Sequence, residues 1–205
     1  MIPDTPKGWH SRGYLPHYDN TNVTQFITLR LADSLPAYLI EAWKEELQQQ
    51  TLLDTERQLT LQRRIERYLD EGAGACYLRE PLVARMIETA LYHFDESHYR
   101  LLSWVIMPNH LHMLLAPNMN RSLSKIVHSL KSYTAHKANA MLGRQGQFWF
   151  EDYFDRYIRD AKHYDAVVRY IEMNPVKARL CSSPGDWRYG SAWWRCRSAG
   201  VPPAE

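Results

Sequence analysis

Two apolar runs, Tyr99 to Met107 and His110 to Ala116, are separated only by Pro108 and Asn109, and this strand–turn–strand unit constrains the fold more than any other stretch. Strands joined so tightly must pair antiparallel, because a parallel return needs a crossover of a dozen residues or more. Val23 to Leu31 alternates, with Val23, Ile27, Leu29 and Leu31 on one side and Thr24, Phe26, Thr28 and Arg30 on the other. That pattern predicts a strand with one buried face. Phe154 to Arg159 alternates in the same way.

Helices are expected between these strands. Pro81 suits a first helical turn, with Val83, Ile87, Ala90, Leu91 and Phe94 as the buried face. A longer helix is expected over residues 122–142, closed by Gly143, and Asp160 is expected to cap another that Pro175 stops. Ser34 reads as the cap of a helix with Leu39, Ile40, Trp43 and Leu47 on one stripe; a very polar helix over about 55–71 follows, ended by Gly72 and Gly74. Setting aside this helical insertion of about 34–75, the order is split β-α-β-β-α-β. The expected class is α+β, an antiparallel sheet with helices on one face. Residues 1–20 read as an irregular arm, 21–180 as a single domain, and 181–205 as an irregular tail whose Trp187, Tyr189, Trp193 and Trp194 either pack down or touch a ligand.

The chain has 205 residues, 45% of them hydrophobic, with no run of 18 apolar residues and no apolar stretch at the N-terminus. We therefore expect a soluble cytoplasmic protein without a membrane partner. Its three cysteines, Cys76, Cys181 and Cys196, lack the spacing of a zinc–thiolate site or a disulfide framework. Lysine and arginine number 25 against 23 acids, a net charge of +2, which alone does not mark a nucleic-acid binder. The distribution is more telling. Eight acids and five bases lie between Glu41 and Glu71, whereas Asn118 to Trp149 holds five bases and no acid. Lys177, Arg179, Arg188 and Arg195 follow, among 13 tyrosines and 7 tryptophans in the whole chain. Bases interleaved with aromatics suit a single nucleic-acid strand; a solvated basic helix face is the plainer alternative.

Chemistry centres on His110-Leu111-His112. Residues two apart on a strand share a face, so the imidazoles should lie about 6–7 Å apart, able to share one metal ion. An isolated H-x-H is more often a polar, solvent-facing pair. On the last helix Tyr170 falls about 110° from the centre of the apolar face, at its edge, where its hydroxyl reaches a cleft. Asn174 follows one turn later, either as an oxygen ligand or as a helix-end residue. Tyr133, the rival nucleophile, falls on the side of Leu123, Ile126, Val127 and Leu130, where a core tyrosine belongs.

The run Trp104-Val-Ile-Met-Pro-Asn-His110-Leu-His112 resembles the HUH motif, two histidines flanking a hydrophobic residue, of single-tyrosine transposases. Gly143 through Phe148-Trp149, Phe154-Asp-Arg-Tyr-Ile-Arg-Asp160 and Tyr170-Ile-Glu-Met-Asn174-Pro175 resemble REP-associated tyrosine transposases of the insertion-sequence 200/605 type, as do Arg12-Gly13-Tyr14-Leu-Pro16-His17 and Trp187-Arg-Tyr-Gly-Ser191. The resemblance implies a ferredoxin-like HUH endonuclease fold. It implies that His110 and His112 bind Mg²⁺ or Mn²⁺ with Asn174 as third ligand, and that Tyr170 attacks DNA to form a 5′-phosphotyrosine. The partner implied is single-stranded DNA carrying an imperfect palindromic hairpin. Arg12, Tyr14, His17, Lys131, Arg144 and Lys177 are the implied DNA contacts, and the protein would be a monomer or homodimer. Arg179 stands where the family often has glycine. Two other functions are open on the residues: a domesticated regulator that binds the hairpin without cleaving, and a metallohydrolase, for which the chain lacks a carboxylate-rich motif.

Overall fold

The computed structural model describes residues 8–11, 16–20, 23–118 and 121–198. Strands β1 (Gly8–Ser11) and β2 (Pro16–Asp19) pair antiparallel, so the described part of the arm is a hairpin and not irregular. The main sheet contains β3 (Gln25–Arg30), β4 (Tyr99–Ile106), β5 (His110–Pro117) and β6 (Phe154–Tyr157). Its spatial order is β4-β5-β3-β6, with every neighbouring pair antiparallel. Helix α1 (Ala37–Gln48) and α2 (Asp54–Asp70) form the insertion after β3. Then come α3 (Pro81–Phe94), α4 (Leu123–Met141), α5 (Ala161–Lys177) and α6 (Ser191–Ser198). Without the insertion the sheet is wound β3-α3-β4-β5-α4-β6, the split arrangement expected from the sequence.

The two helices of this frame, α3 and α4, share one face as expected, but α5, which follows it, packs on the other. Ile27, Leu29, Leu31, Leu111, Met113 and Leu115 point to α3 and α4 and form the larger core. On the opposite face Phe26, Val105, Leu114 and Ile171 form a second core, with Tyr164, Val167, Val168 and Tyr170 of α5 against it. All six residues of β3 are buried, so it has two buried faces where alternation suggested one. The polar members Thr28 and Arg30 are covered because α5 and the insertion lie on that side; alternation reports polarity, not what packs above it.

Three local expectations also change. Ser34 does not cap α1: its hydroxyl donates to the Leu31 carbonyl at 2.7 Å, and Pro36 occupies the cap position. Pro175 does not stop α5, which continues to Lys177. The lost N–H falls in the last turn, so a single bond is forfeited while the buried ring packs. The described part of the tail is not irregular: α6 follows a 3₁₀ turn at Pro184–Asp186, and Trp187 donates from Nε1 to the Ile106 carbonyl at 3.0 Å. Its aromatics pack down, as one of the two sequence alternatives had it.

Candidate metal and nucleophile site

The hairpin turn brings β5 out of Asn109 with His110 and His112 on the α5 side and Leu111 and Met113 in the larger core. Both histidines are 1% exposed, which excludes the solvent-facing alternative. Their ring centroids are 4.7 Å apart, closer than strand spacing suggests, because the rings tilt together at an interplanar angle of 72°. Register places Thr28 opposite His112, with Thr28 Oγ1 2.8 Å from His112 Nδ1. His110 Nδ1 lies 2.7 Å from Asn109 Oδ1. His112 Nε2 is buried without a hydrogen-bond partner.

Helix α5 crosses this face and delivers Tyr170. Its ring lies 5.3 Å from that of His112 and edge-on to Phe26 at 5.8 Å. Asn174, one turn on and 0% exposed, sits beside His110, and neither its Oδ1 nor its Nδ2 finds a well-formed hydrogen bond. His110, His112, Tyr170 and Asn174 therefore meet at one place, as the family resemblance implied. The Tyr170 hydroxyl, however, does not open on a cleft; it is buried beneath the insertion. Helix α2 brings Glu66 and Asp70 to the tyrosine, and Asp70 pairs with Lys177 at 2.8 Å.

Electrostatics follow from burial. Desolvation pulls His110 down to about 3, against the adjacent Asn174 amide, which favours the protonated ring and raises it, with the Lys177 charge lowering it further. Burial, with the neighbouring His110 and Lys177, depresses His112 well below the usual imidazole value. Both imidazoles are thus neutral, the form that ligates metals. Burial pushes the Tyr170 hydroxyl far above the ordinary phenol range, and the Glu66 and Asp70 charges push it further. Burial also raises the carboxyls of Glu66 and Asp70, against the opposing hydrogen bonds from Gln62 and Lys177 respectively.

A divalent ion fits the donors present. Two neutral imidazoles and an amide oxygen converge, and both His112 Nε2 and Asn174 Oδ1 are buried and unsatisfied, a costly arrangement that a cation would relieve. Among the described residues no three His, Cys, Asp or Glu side chains are grouped so that they could hold a metal.

The remaining sequence candidates fare unevenly. Arg12 and Tyr14 lie outside the described residues. His17 is fully buried, between Asp152 (2.9 Å) and Asp155, with its ring 4.5 Å from that of Tyr153; it ties the β1–β2 arm to β6 and offers no surface to DNA. Lys131 donates to the carbonyls of Phe150 (2.7 Å) and Glu151 (2.5 Å), and desolvation brings its ammonium down to about 8. Arg144 donates to Asn139 Oδ1 and the Gln147 carbonyl, both at 3.0 Å, and lies over Tyr77. Among the described members of this set, Lys177 alone stands at the site. Tyr133 is not a core residue: it is 45% exposed, edge-on to Phe94, on the helix that packs against the other face of the sheet. The sheet itself lies between it and the histidines; burial does not separate them.

Sequence reading missed Thr28, Asn109, Glu66 and Asp70. The first two were signalled only by polarity in a strand and a turn; no local pattern marked the acids, which reach the site by tertiary packing.

The family described as "Transposase IS200 like" matches residues 76–174, which run from the insertion's exit to Asn174. A REP-associated tyrosine transposase of Escherichia coli (strain K12) is 27% identical over 108 residues, covering 52% of this chain; the chain spans 62% of that relative's length. A solved structure of a REP-associated tyrosine transposase bound to a REP hairpin aligns over 94% of this chain and 89% of its own, at 19% identity and a TM-score of 0.54, which speaks to the fold. Together these bear out the resemblance read from the motifs: residues 76–174 match the IS200-like transposase family, and the chain is similar in sequence to a REP-associated tyrosine transposase and in fold to another.

Proposed function

We propose that this protein is a metal-dependent single-stranded DNA endonuclease and strand transferase that cleaves beside REP-type hairpins through a covalent 5′-phosphotyrosine. The observation that carries the reading is the convergence of a tyrosine whose hydroxyl is buried with two neutral, partly unsatisfied imidazoles and an unsatisfied amide. His110, His112 and Asn174 would hold Mg²⁺ or Mn²⁺, which when bound neutralises charge on a phosphate oxygen and lowers the barrier to displacement. The protein's own part is positional. Phe26 and His112 pack against the phenol ring and fix its orientation. Tyr170 Oη forms the new P–O bond, the P–O3′ bond breaks, the phenolic proton is lost, and the departing 3′ oxygen is protonated. One phosphodiester replaces another, so the strand can be rejoined without an external energy source.

The hairpin named for the solved structural relative supports DNA as partner, and Lys177 at the site supplies a cation for it. The test incubates the protein with Mn²⁺ and a hairpin-bearing single strand and looks for a DNA-linked peptide by mass. We expect the adduct to map to Tyr170 and to vanish in Tyr170→Phe. Tyr133→Phe should retain it, and His112→Ala should lose cleavage while keeping part of the binding. An adduct abolished by Tyr133→Phe alone would overturn the assignment; tight hairpin binding with no adduct in the intact protein would favour the non-cleaving regulator.

A further inference from the structure

Asn109 is fully buried in the hairpin turn, and both ends of its amide are engaged. Its Nδ2 donates to the Ala73 carbonyl at 2.9 Å. A carbonyl only accepts, so this bond settles which end of the amide is nitrogen. The other end, Oδ1, therefore faces His110 Nδ1 at 2.7 Å. An amide oxygen also only accepts, so Nδ1 must carry the proton. For a neutral imidazole that leaves the lone pair on Nε2.

Thr28 does not set its histidine in the same way. Its hydroxyl can donate or accept toward His112 Nδ1, so it permits both tautomers. Of the pair, His110 is locked and His112 is not. The lock is anchored from a distance: Ala73 lies at the exit of the insertion, where Ala75 N donates to Asp33 at 2.8 Å. Gly74 sits there at φ +87, and a Cβ on it would come within 2.8 Å of the Asp33 carbonyl oxygen.

We infer that Asn109 is a positioning residue for metal binding, holding His110 in the tautomer that presents Nε2 as a ligand, with its amide oriented by the Ala73 carbonyl. This deepens the proposed function and rests on His110 being a ligand. Outer partners of this kind change metal affinity about 10- to 100-fold when removed.

The full chain serves for the test, as wild type, Asn109→Ala and Asn109→Asp. Two readouts are taken without DNA: the ¹⁵N shifts of the His110 ring, and titration with Mn²⁺ alone. We expect the wild type to show His110 protonated at Nδ1, and Asn109→Ala to lose that preference and bind Mn²⁺ about 10- to 100-fold more weakly. Asn109→Asp discriminates between roles. It keeps an acceptor for His110 but cannot donate to Ala73, so it should retain the Nδ1–H tautomer and Mn²⁺ affinity within about three-fold of wild type. A residue that merely braced the loop would fail as badly in Asp as in Ala, and that result overturns the inference. So does a wild-type His110 protonated at Nε2, or an Asn109→Ala affinity equal to wild type. If the wild type binds no Mn²⁺, the ring tautomer in the three proteins still judges Asn109, while the metal reading of the site falls separately.

Discussion

At the scale of single residues, the same side-chain type serves two ends in this protein, and surroundings decide which. His110 and His112 are buried among apolar groups and a cation, and are neutral. His17 is equally buried but meets two carboxylates. Burial pulls its pKa down, yet the hydrogen bonds and charges of Asp152 and Asp155 outweigh this and raise it to about 9. A folded-state value above the unfolded one of about 6.5 means the stabilisation is complete below pH 6.5 and is lost as pH rises through 9. We expect the unfolding free energy to fall by up to about 3 kcal/mol across that window. His17→Gln should flatten the dependence and lower stability most at the acidic end, as measured by urea unfolding at pH 6, 7.5 and 9. Parallel pH curves for the two proteins would contradict this.

At the scale of elements, α5 shows how the helix that carries the proposed nucleophile is ended. Arg179 N donates to the Val176 carbonyl and Leu180 N to that of Pro175, both at 2.9 Å, with Arg179 at φ +59. This is the Schellman closure, in which the left-handed position favours glycine. The glycine that the related family often has there is thereby explained, and arginine bears the strain. Arg179→Gly should stabilise the fold by about 1 kcal/mol, seen as a raised midpoint in thermal unfolding. The closure also keeps Asn174 and Tyr170 on one rigid segment, because the proline in the last turn removes only its own N–H and leaves the helix axis intact to Lys177.

At the scale of the whole molecule, the insertion is the part that the β-α-β-β-α-β frame does not require. It has a small core of its own, Leu35, Ile40 and Leu69 with Trp43, Ile65 and Tyr68, and a bidentate Arg64–Glu46 pair holds α1 to α2. Between it and the sheet lies a cavity of about 50 Å³ lined by Thr28, Ile40, Ile65, Leu69 and Phe154 among others. The Asp70–Lys177 pair closes the edge over Tyr170. Being partly exposed, such a pair contributes at most about 1 kcal/mol. Asp70→Lys should therefore speed amide hydrogen exchange in α2 by up to about five-fold with β5 unchanged, and adding Lys177→Asp should reverse most of that change. Equal exchange in all three proteins would show that the pair does not hold the insertion down.

Much of this was legible along the chain because it depends on neighbours in sequence. The Pro108–Asn109 turn between apolar runs dictates an antiparallel hairpin, an i, i+2 step puts two imidazoles on one face, and an i, i+4 step puts Tyr170 and Asn174 on one side of a helix. Folding decided what lies above those faces. Periodicity carries no information on which element packs against a surface, so the burial of the histidines, the exposure of Tyr133, the employment of His17 and Lys131 in holding segments together, and the arrival of Glu66 and Asp70 beside the tyrosine all depend on contacts between residues far apart in the chain. The chemistry of the site is written in local spacing, whereas its charge states come from desolvation and long-range neighbours, which only the tertiary structure assembles.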